Sequence, residues 1–197
     1  MKQMTNPAAL VLGAAFDPPH WGHFTMASEV LRQGIARQIY LVPCGRHNFG
    51  KQMSASSHRL AMTELLAQEL NRVYPGSTRV LDLEITRDGI SYAYDTLETL
   101  GSTESVGWLM GSDQLPTFHQ WYRYLDLLKR YPVFVYPRAG YPLAPWYQEM
   151  QAVAGPLVTT SSSEVRAHTA AGHSIRELTF ATITDYIAQH RMYETLE

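Results

Sequence analysis

Two histidines, His20 and His23, close the string GAAFDPPHWGH that runs from Gly13 to His23. Side chains at this spacing share one face on the first turn of a helix. Imidazoles placed there can donate hydrogen bonds to charge developing on a polyphosphate. A helix N-terminus adds free N–H groups and the positive end of a dipole. Gly13 and the small residues Ala14 and Ala15 let backbone approach a ligand, while Pro18 and Pro19 stiffen the turn. The same pair also suits a metal or an ordinary surface contact. Zinc, however, wants a third or fourth ligand. Cys44, His47 and His58 are available for that but lack a convincing spacing.

Other polar clusters follow later in the chain. In TSSSEVR, Ser161, Ser162 and Ser163 open a helix, where they can cap it and face an anion. Arg166 lies in its first turn and can pair with a phosphate bidentately. A plain helix cap is the competing account. Gly111-Ser112-Asp113 ends an apolar run, and an acid at a strand's carboxyl end can accept from ribose hydroxyls. A turn aspartate is the alternative. Trp121 can stack on a cationic ring, with Tyr92 and Tyr94 flanking it, although core packing competes for any tryptophan. The loop RHNFGK carries Arg46, His47 and Lys51, residue types that suit a phosphate clamp or equally a solvated loop. Arg138 is a further phosphate candidate.

These groups need a scaffold. Residues 8–13 form an apolar run that reads as a strand, and 20–36 a helix with Phe24, Ala27, Val30, Leu31 and Ile35 at helical spacing. Strands are expected at 38–43, 79–85, 105–110, 132–136 and 155–159. Helices are expected at 58–70, 92–100, 120–130 and 161–171, with one or two more over 175–190. The Pro- and aromatic-rich stretch 139–155 has no clear period. Alternation of strands with helices predicts an α/β fold, a doubly wound parallel sheet with C-terminal helices. Such sheets bind ligands beyond the carboxyl ends of their strands, where the clusters above fall. A single domain over 1–197 is expected, with 161–197 as a helical C-terminal part.

The composition is that of an ordinary globular chain: 197 residues, 45% hydrophobic, 17% charged and net charge −2. That balance speaks against a nucleic-acid-coating protein. The one cysteine permits no internal disulfide framework. The apolar stretch near the N-terminus is too short for a membrane span, and FDPPHWGH does not suit a cleavage site. A cytoplasmic protein with no membrane or nucleic-acid partner is expected. A homo-oligomer is left open.

GAAFDPPHWGH resembles the GGTFDPPHxGH motif of bacterial nicotinate mononucleotide adenylyltransferases, within the HxGH nucleotidyltransferase superfamily. SYAYDTLETL (91–100) is similar to SYTxDTLxxL, and GSDQLPTFHQWYRYLDLL (111–128) to GxDxLxxFxxWxxxxxIL. TSSSEVRAHTAAG (160–172) is similar to ISSTxIRxxxxxG, and the ending YIAQHRMYE resembles YIxxxxLY. The motifs keep the family order and span the chain.

The resemblance implies a Rossmann-like fold and transfer of AMP from ATP to nicotinate mononucleotide, giving deamido-NAD and pyrophosphate. It implies that His20 and His23 act on the transition state with Arg166. ATP would lie against Gly13, Ala14, Ala15, Phe16, Gly111, Asp113, Ser161, Ser162, Ser163 and Arg166. The acceptor is expected at Trp121, as the resemblance implies, and, from the residues themselves, at Asp17, Arg46, His47, Lys51, Tyr92 and Arg138. Mg²⁺ is expected with ATP, held mainly by the nucleotide, with Asp17 as the nearest protein contact and no dedicated metal site. The chain departs from the motifs at Ala14, Ala15, Ala93 and in RHNFGK. Nicotinamide mononucleotide, another phosphorylated acceptor such as phosphopantetheine, and a non-catalytic nucleotide-binding role therefore stay open.

Overall fold

The computed structural model describes residues 6–45, 53–143 and 147–194. Six strands form one sheet: β1 (Ala9–Ala14), β2 (Gln38–Pro43), β3 (Thr78–Val80), β4 (Val106–Gly111), β5 (Val133–Tyr136) and β6 (Met150–Ala152). Every pairing is parallel, in the order β3-β2-β1-β4-β5-β6. The order reverses between β1 and β4, so a crevice opens at their carboxyl ends.

Alternation along β1 explains the layering. Leu10 and Leu12 face one core, with Met26, Ala27 and Val30 of α1 (Trp21–Arg32) and Met62, Leu66 and Leu70 of α2 (Ser56–Val73). That core also takes Val165 of α6 (Ser162–Ala170) and Ile183 and Ile187 of α7 (Ala181–Gln189). Ala9 and Val11 face the other core, with Tyr94 and Leu97 of α4 (Ala93–Gly101) and Leu127 and Leu128 of α5 (Tyr124–Arg130). Both faces of the sheet are covered, as a parallel sheet requires. No helix among the described residues is long and apolar enough to cross a membrane.

Five boundaries differ from the sequence reading. Over 175–190 the chain first makes a turn, with the Leu178 and Thr179 N–H groups on the Ile175 carbonyl, and α7 begins only at Ala181. The first helix ends at Arg32, because Gly34 takes φ +65° and the Ile35 N–H returns to the Val30 carbonyl. The strand expected over 79–85 stops at Val80, and Leu83–Thr86 forms a short helix, α3, whose Ile85 and Thr86 N–H groups bond the Asp82 carbonyl. The helix expected over 120–130 is two pieces, a 3-10 helix over Ser112–Gln120 and then α5. Arg123 separates them in the left-handed region at φ 54°. Its guanidinium lies 4.1 Å from the Tyr94 ring centroid and bonds Asp126. The last strand is not 155–159 but β6, inside the stretch without a clear period. Val158 makes only an isolated bridge to Arg138, because the chain there wraps Tyr136, whose hydroxyl donates to the Pro156 carbonyl at 2.9 Å.

Candidate active site

At the carboxyl ends of β1 and β4 lies a cavity of about 560 Å³. The loop from Ala14 into α1 forms one wall. Phe16 is fully buried at φ 49°, and its ring centroid lies 4.8 Å from that of His23. His20 is the N-cap of α1. Its Nδ1 accepts from the Gly22 N–H at 3.0 Å, and His23 Nδ1 accepts from the His20 N–H at 3.3 Å. The two imidazoles thus build a reciprocal cap of the kind usually made by Ser or Thr with Glu. Their centroids are 4.0 Å apart, and both line the cavity.

This arrangement sets the tautomers. An Nδ1 that accepts carries no proton, so each neutral ring carries its proton on Nε2. Burial is the first cause that holds His20 well below the usual histidine range, followed by His23 and Arg138. Burial, followed by the Arg138 cation, holds His23 down to about 3. Both rings are therefore neutral N–H donors at physiological pH. The α1 backbone contributes no free donor. The N–H groups of Trp21, Gly22, His23 and Phe24 are taken by Leu178 O, His20 Nδ1 and His20 O. This corrects the expectation of free α1 N–H groups for a phosphate.

The free N–H groups come instead from α6. Ser161 caps it reciprocally with Glu164, at 3.2 and 3.3 Å. Ser162 and Ser163 stand in the first turn, where N–H groups have no intrahelical carbonyl. All three serines line the cavity. The helix is docked directly on the histidine loop. Ser162 Oγ donates to the Pro18 carbonyl at 2.9 Å, and Arg166 Nη1 donates to the Asp17 carbonyl at 2.7 Å. The two segments farthest apart in sequence thus share one site.

The third wall is the end of β4 and β5. Arg138 Nε lies 3.3 Å from Asp113 Oδ1, and its Nη2 donates to the Thr160 carbonyl at 2.9 Å. A Cβ on Gly111 would meet both Asp113 and Arg138, so glycine keeps this ion pair open to the strand end. Beyond it Trp121 and Tyr92 line the far part of the cavity. Trp121 packs edge-on to Trp108 at 6.0 Å, and Tyr92 lies against Tyr122 at 4.6 Å.

Residues 11–168 match the model of the Cytidylyltransferase-like family. A relative from Salinibacter ruber, described as a "probable nicotinate-nucleotide adenylyltransferase", is 32% identical over 192 residues, covering 93% of this chain and 96% of its own. A Synechococcus relative of the same description is 33% identical over 206 residues, covering 96% and 98%. The chain belongs to the nicotinate-nucleotide adenylyltransferase family. The fold also matches the Plasmodium falciparum nicotinic acid mononucleotide adenylyltransferase solved with NaAD, with TM-score 0.83, 19% identity and coverage of 94% and 96%. A Vibrio parahaemolyticus structure described as a "putative nicotinate-nucleotide adenylyltransferase" matches with TM-score 0.70 at 15% identity.

Most residues singled out in the sequence meet at this cavity: Gly13, Ala14, Ala15, Phe16, His20, His23, Tyr92, Gly111, Asp113, Trp121, Arg138 and the three serines. Two do not face it. The Asp17 carboxylate, expected near the acceptor and the metal, accepts from Ser54 N–H at 3.1 Å and the Tyr193 hydroxyl at 2.7 Å. Both of its oxygens are thus engaged inside the fold. Arg166 braces Asp17 and Ser163 and does not line the cavity. Arg138, expected at the acceptor phosphate, stands with Asp113 and close enough to the imidazoles to depress them. Gly13 also has another reason than ligand approach, since a Cβ there would strike the Trp108 indole. Arg46, His47 and Lys51 lie outside the described residues. Trp108 and Glu84 line the cavity without having been singled out. Their signal was their place: Trp108 on β4 beneath the crevice, and Glu84 in a helix that the sequence reads as strand.

The buried imidazoles carry a pH consequence. Their folded pKa values lie below the unfolded value of about 6.5. As pH falls, the unfolded chain takes up these protons first. The stability is whole above about 6.5 and is lost downward toward the folded values as pH falls. Thermal melting should therefore give a lower Tm at pH 5 than at pH 7. The double substitution His20→Asn with His23→Asn should reduce that difference, and an undiminished difference would contradict neutral burial.

Proposed function

We propose that this chain transfers AMP from ATP to nicotinate mononucleotide, releasing pyrophosphate. One observation carries the reading: two neutral imidazole donors and the open first turn of α6 face one cavity beside Asp113 and Arg138. A phosphate oxygen of the acceptor attacks the α-phosphorus of ATP. The new P–O bond forms as the bond to the β-phosphate bridging oxygen breaks. A phosphate monoester is already ionised near neutral pH, so no strong general base is needed. Positioning and charge stabilisation supply the catalysis.

His20 and His23 donate from Nε2 to the phosphoryl oxygens and the leaving pyrophosphate. Ser162 and Ser163 hold the distal phosphates through their N–H groups, and Arg138 adds a cation beside them. Asp113 accepts from the adenosine ribose, and Trp121 with Tyr92 sandwiches the pyridine ring. Arg166 acts through the loop it braces. A Mg²⁺ ion brought in with ATP would supply neutralisation of phosphate charge. The buried Asp17 has both carboxylate oxygens engaged by protein donors, which fits an ion held by the nucleotide.

Pyrophosphate release from ATP, measured side by side with nicotinate and nicotinamide mononucleotides and with phosphopantetheine, tests the acceptor. The reading requires nicotinate mononucleotide to give the highest kcat/KM. A higher value with either other acceptor overturns it. Trp121→Ala should raise the acceptor KM by about tenfold, from the loss of stacking on a cationic ring, and leave the ATP KM unchanged.

A further inference from the structure

The C-terminal motif YIAQHRMY takes no part in the chemistry above, yet its last residue reaches the histidine loop. After α7 ends at Gln189 the backbone turns with Arg191 and Tyr193 both in the left-handed region, at φ 49° and 62°. Non-glycine residues hold such angles only where surrounding structure fixes them. Here Met192 is buried, and Tyr193 packs against the core shared with α1. The turn sets the Tyr193 hydroxyl 2.7 Å from Asp17 Oδ1. Burial, and after it the bond to Asp17 and its charge, push the phenol far above its ordinary range, so it is a neutral donor.

Asp17 is 2% exposed, and it is a junction. Its Oδ2 accepts from the Ser54 N–H just ahead of α2, and its carbonyl accepts from Arg166 of α6. One residue before it stands Phe16, whose ring backs His23, and three residues after it stands His20. Removal of the phenol would leave a buried carboxylate oxygen without its donor at the root of the catalytic loop, and such a loss is relieved by movement of the loop.

We infer that Tyr193 is a positioning residue: its hydrogen bond to Asp17 holds the loop between β1 and α1 so that both imidazoles address one triphosphate. This rests on the adenylyl-transfer reading. The test is Tyr193→Phe, which keeps the ring and removes only the hydroxyl. kcat should fall by about tenfold or more while the ATP KM stays within about twofold, because small misplacement acts on the transition state. The imidazole NMR resonances of His20 and His23 should shift in the same variant.

Thr182→Ala is the control. It removes the bond from α7 to Glu69 of α2, 3.1 Å long, and loosens the C-terminal helix without touching Asp17. It should leave kcat and both imidazole spectra as in the unsubstituted protein. Either an unchanged kcat or unshifted imidazole resonances in Tyr193→Phe overturns the inference, as does an equal loss of kcat in Thr182→Ala. Should the unsubstituted protein release no pyrophosphate, the proposed function fails, and the imidazole spectra alone then decide the role of Tyr193.

Discussion

Replacement of His23 by alanine is expected to lower kcat by about 10²–10³-fold, the size found when one preorganised donor to developing charge is removed. The ATP KM should change only a few-fold. The asymmetry follows from the geometry. In the proposed reading, ground-state binding is shared with the N–H groups of α6, the Asp113–Arg138 pair and the aromatic wall, none of which His23 supports directly. In that same reading, the charge that grows on the phosphoryl oxygens and the leaving group meets the two Nε2 donors. Loss of His23 also removes the acceptor for the His20 N–H, so His20 shifts and the pair fails together. His20→Ala should therefore cost about as much as the double alanine variant, far from additive. Single-turnover and steady-state assays of pyrophosphate release measure this. A kcat within a few-fold of the unsubstituted protein would remove His23 from the chemistry.

The second large effect needs no loss of a functional group. Gly22→Ala adds one methyl, whose carbon would stand 2.6 Å from Val158 Cγ1, 2.7 Å from His20 Cε1 and 2.8 Å from His20 Nδ1. Val158 is buried, so the space cannot be regained on that side without moving the core. The imidazole must yield, and it then loses the Gly22 N–H that fixes its tautomer. Overpacking of this kind destabilises by about 1–3 kcal/mol. The fall in kcat should exceed about tenfold even where the variant is fully folded, because the proton on Nε2 is no longer assured. Melting curves and kcat measured on one preparation separate the two effects. A folded variant with unchanged kcat would show that Nδ1 capping does not govern the imidazole.

Gly22 also illustrates what could be read in the sequence. The string HWGH was legible as two imidazoles on one helical face. Its glycine was not legible as space for the first of them, because the crowding comes from Val158, far along the chain. The parallel sheet was readable because β1, β2, β4 and β5 are continuous apolar runs buried on both faces. The edge strands were not, since β3 and β6 are three residues each and half-exposed, with little pattern to show. Serine-rich α6 was recognisable as a capped helix. That Arg166 turns toward Asp17 instead of the cavity depends on a contact 149 residues distant. Asp17 reads in the sequence as the nearest protein contact for Mg²⁺ and as an acceptor residue. Its burial against Tyr193 and Ser54 is a tertiary fact with no local trace.

That one triphosphate is held between the two imidazoles and α6 is tested most directly by titrating the protein, labelled with ¹⁵N in its histidines and backbone, with MgATP in which a methylene bridge replaces the α,β oxygen. The prediction is that the Nε2 resonances of His20 and His23 and the amide resonances of Ser162 and Ser163 all move along one binding curve with one Kd. Saturation with the imidazoles perturbed and the Ser162 and Ser163 amides unmoved, or the reverse, would contradict a single triphosphate held between α1 and α6.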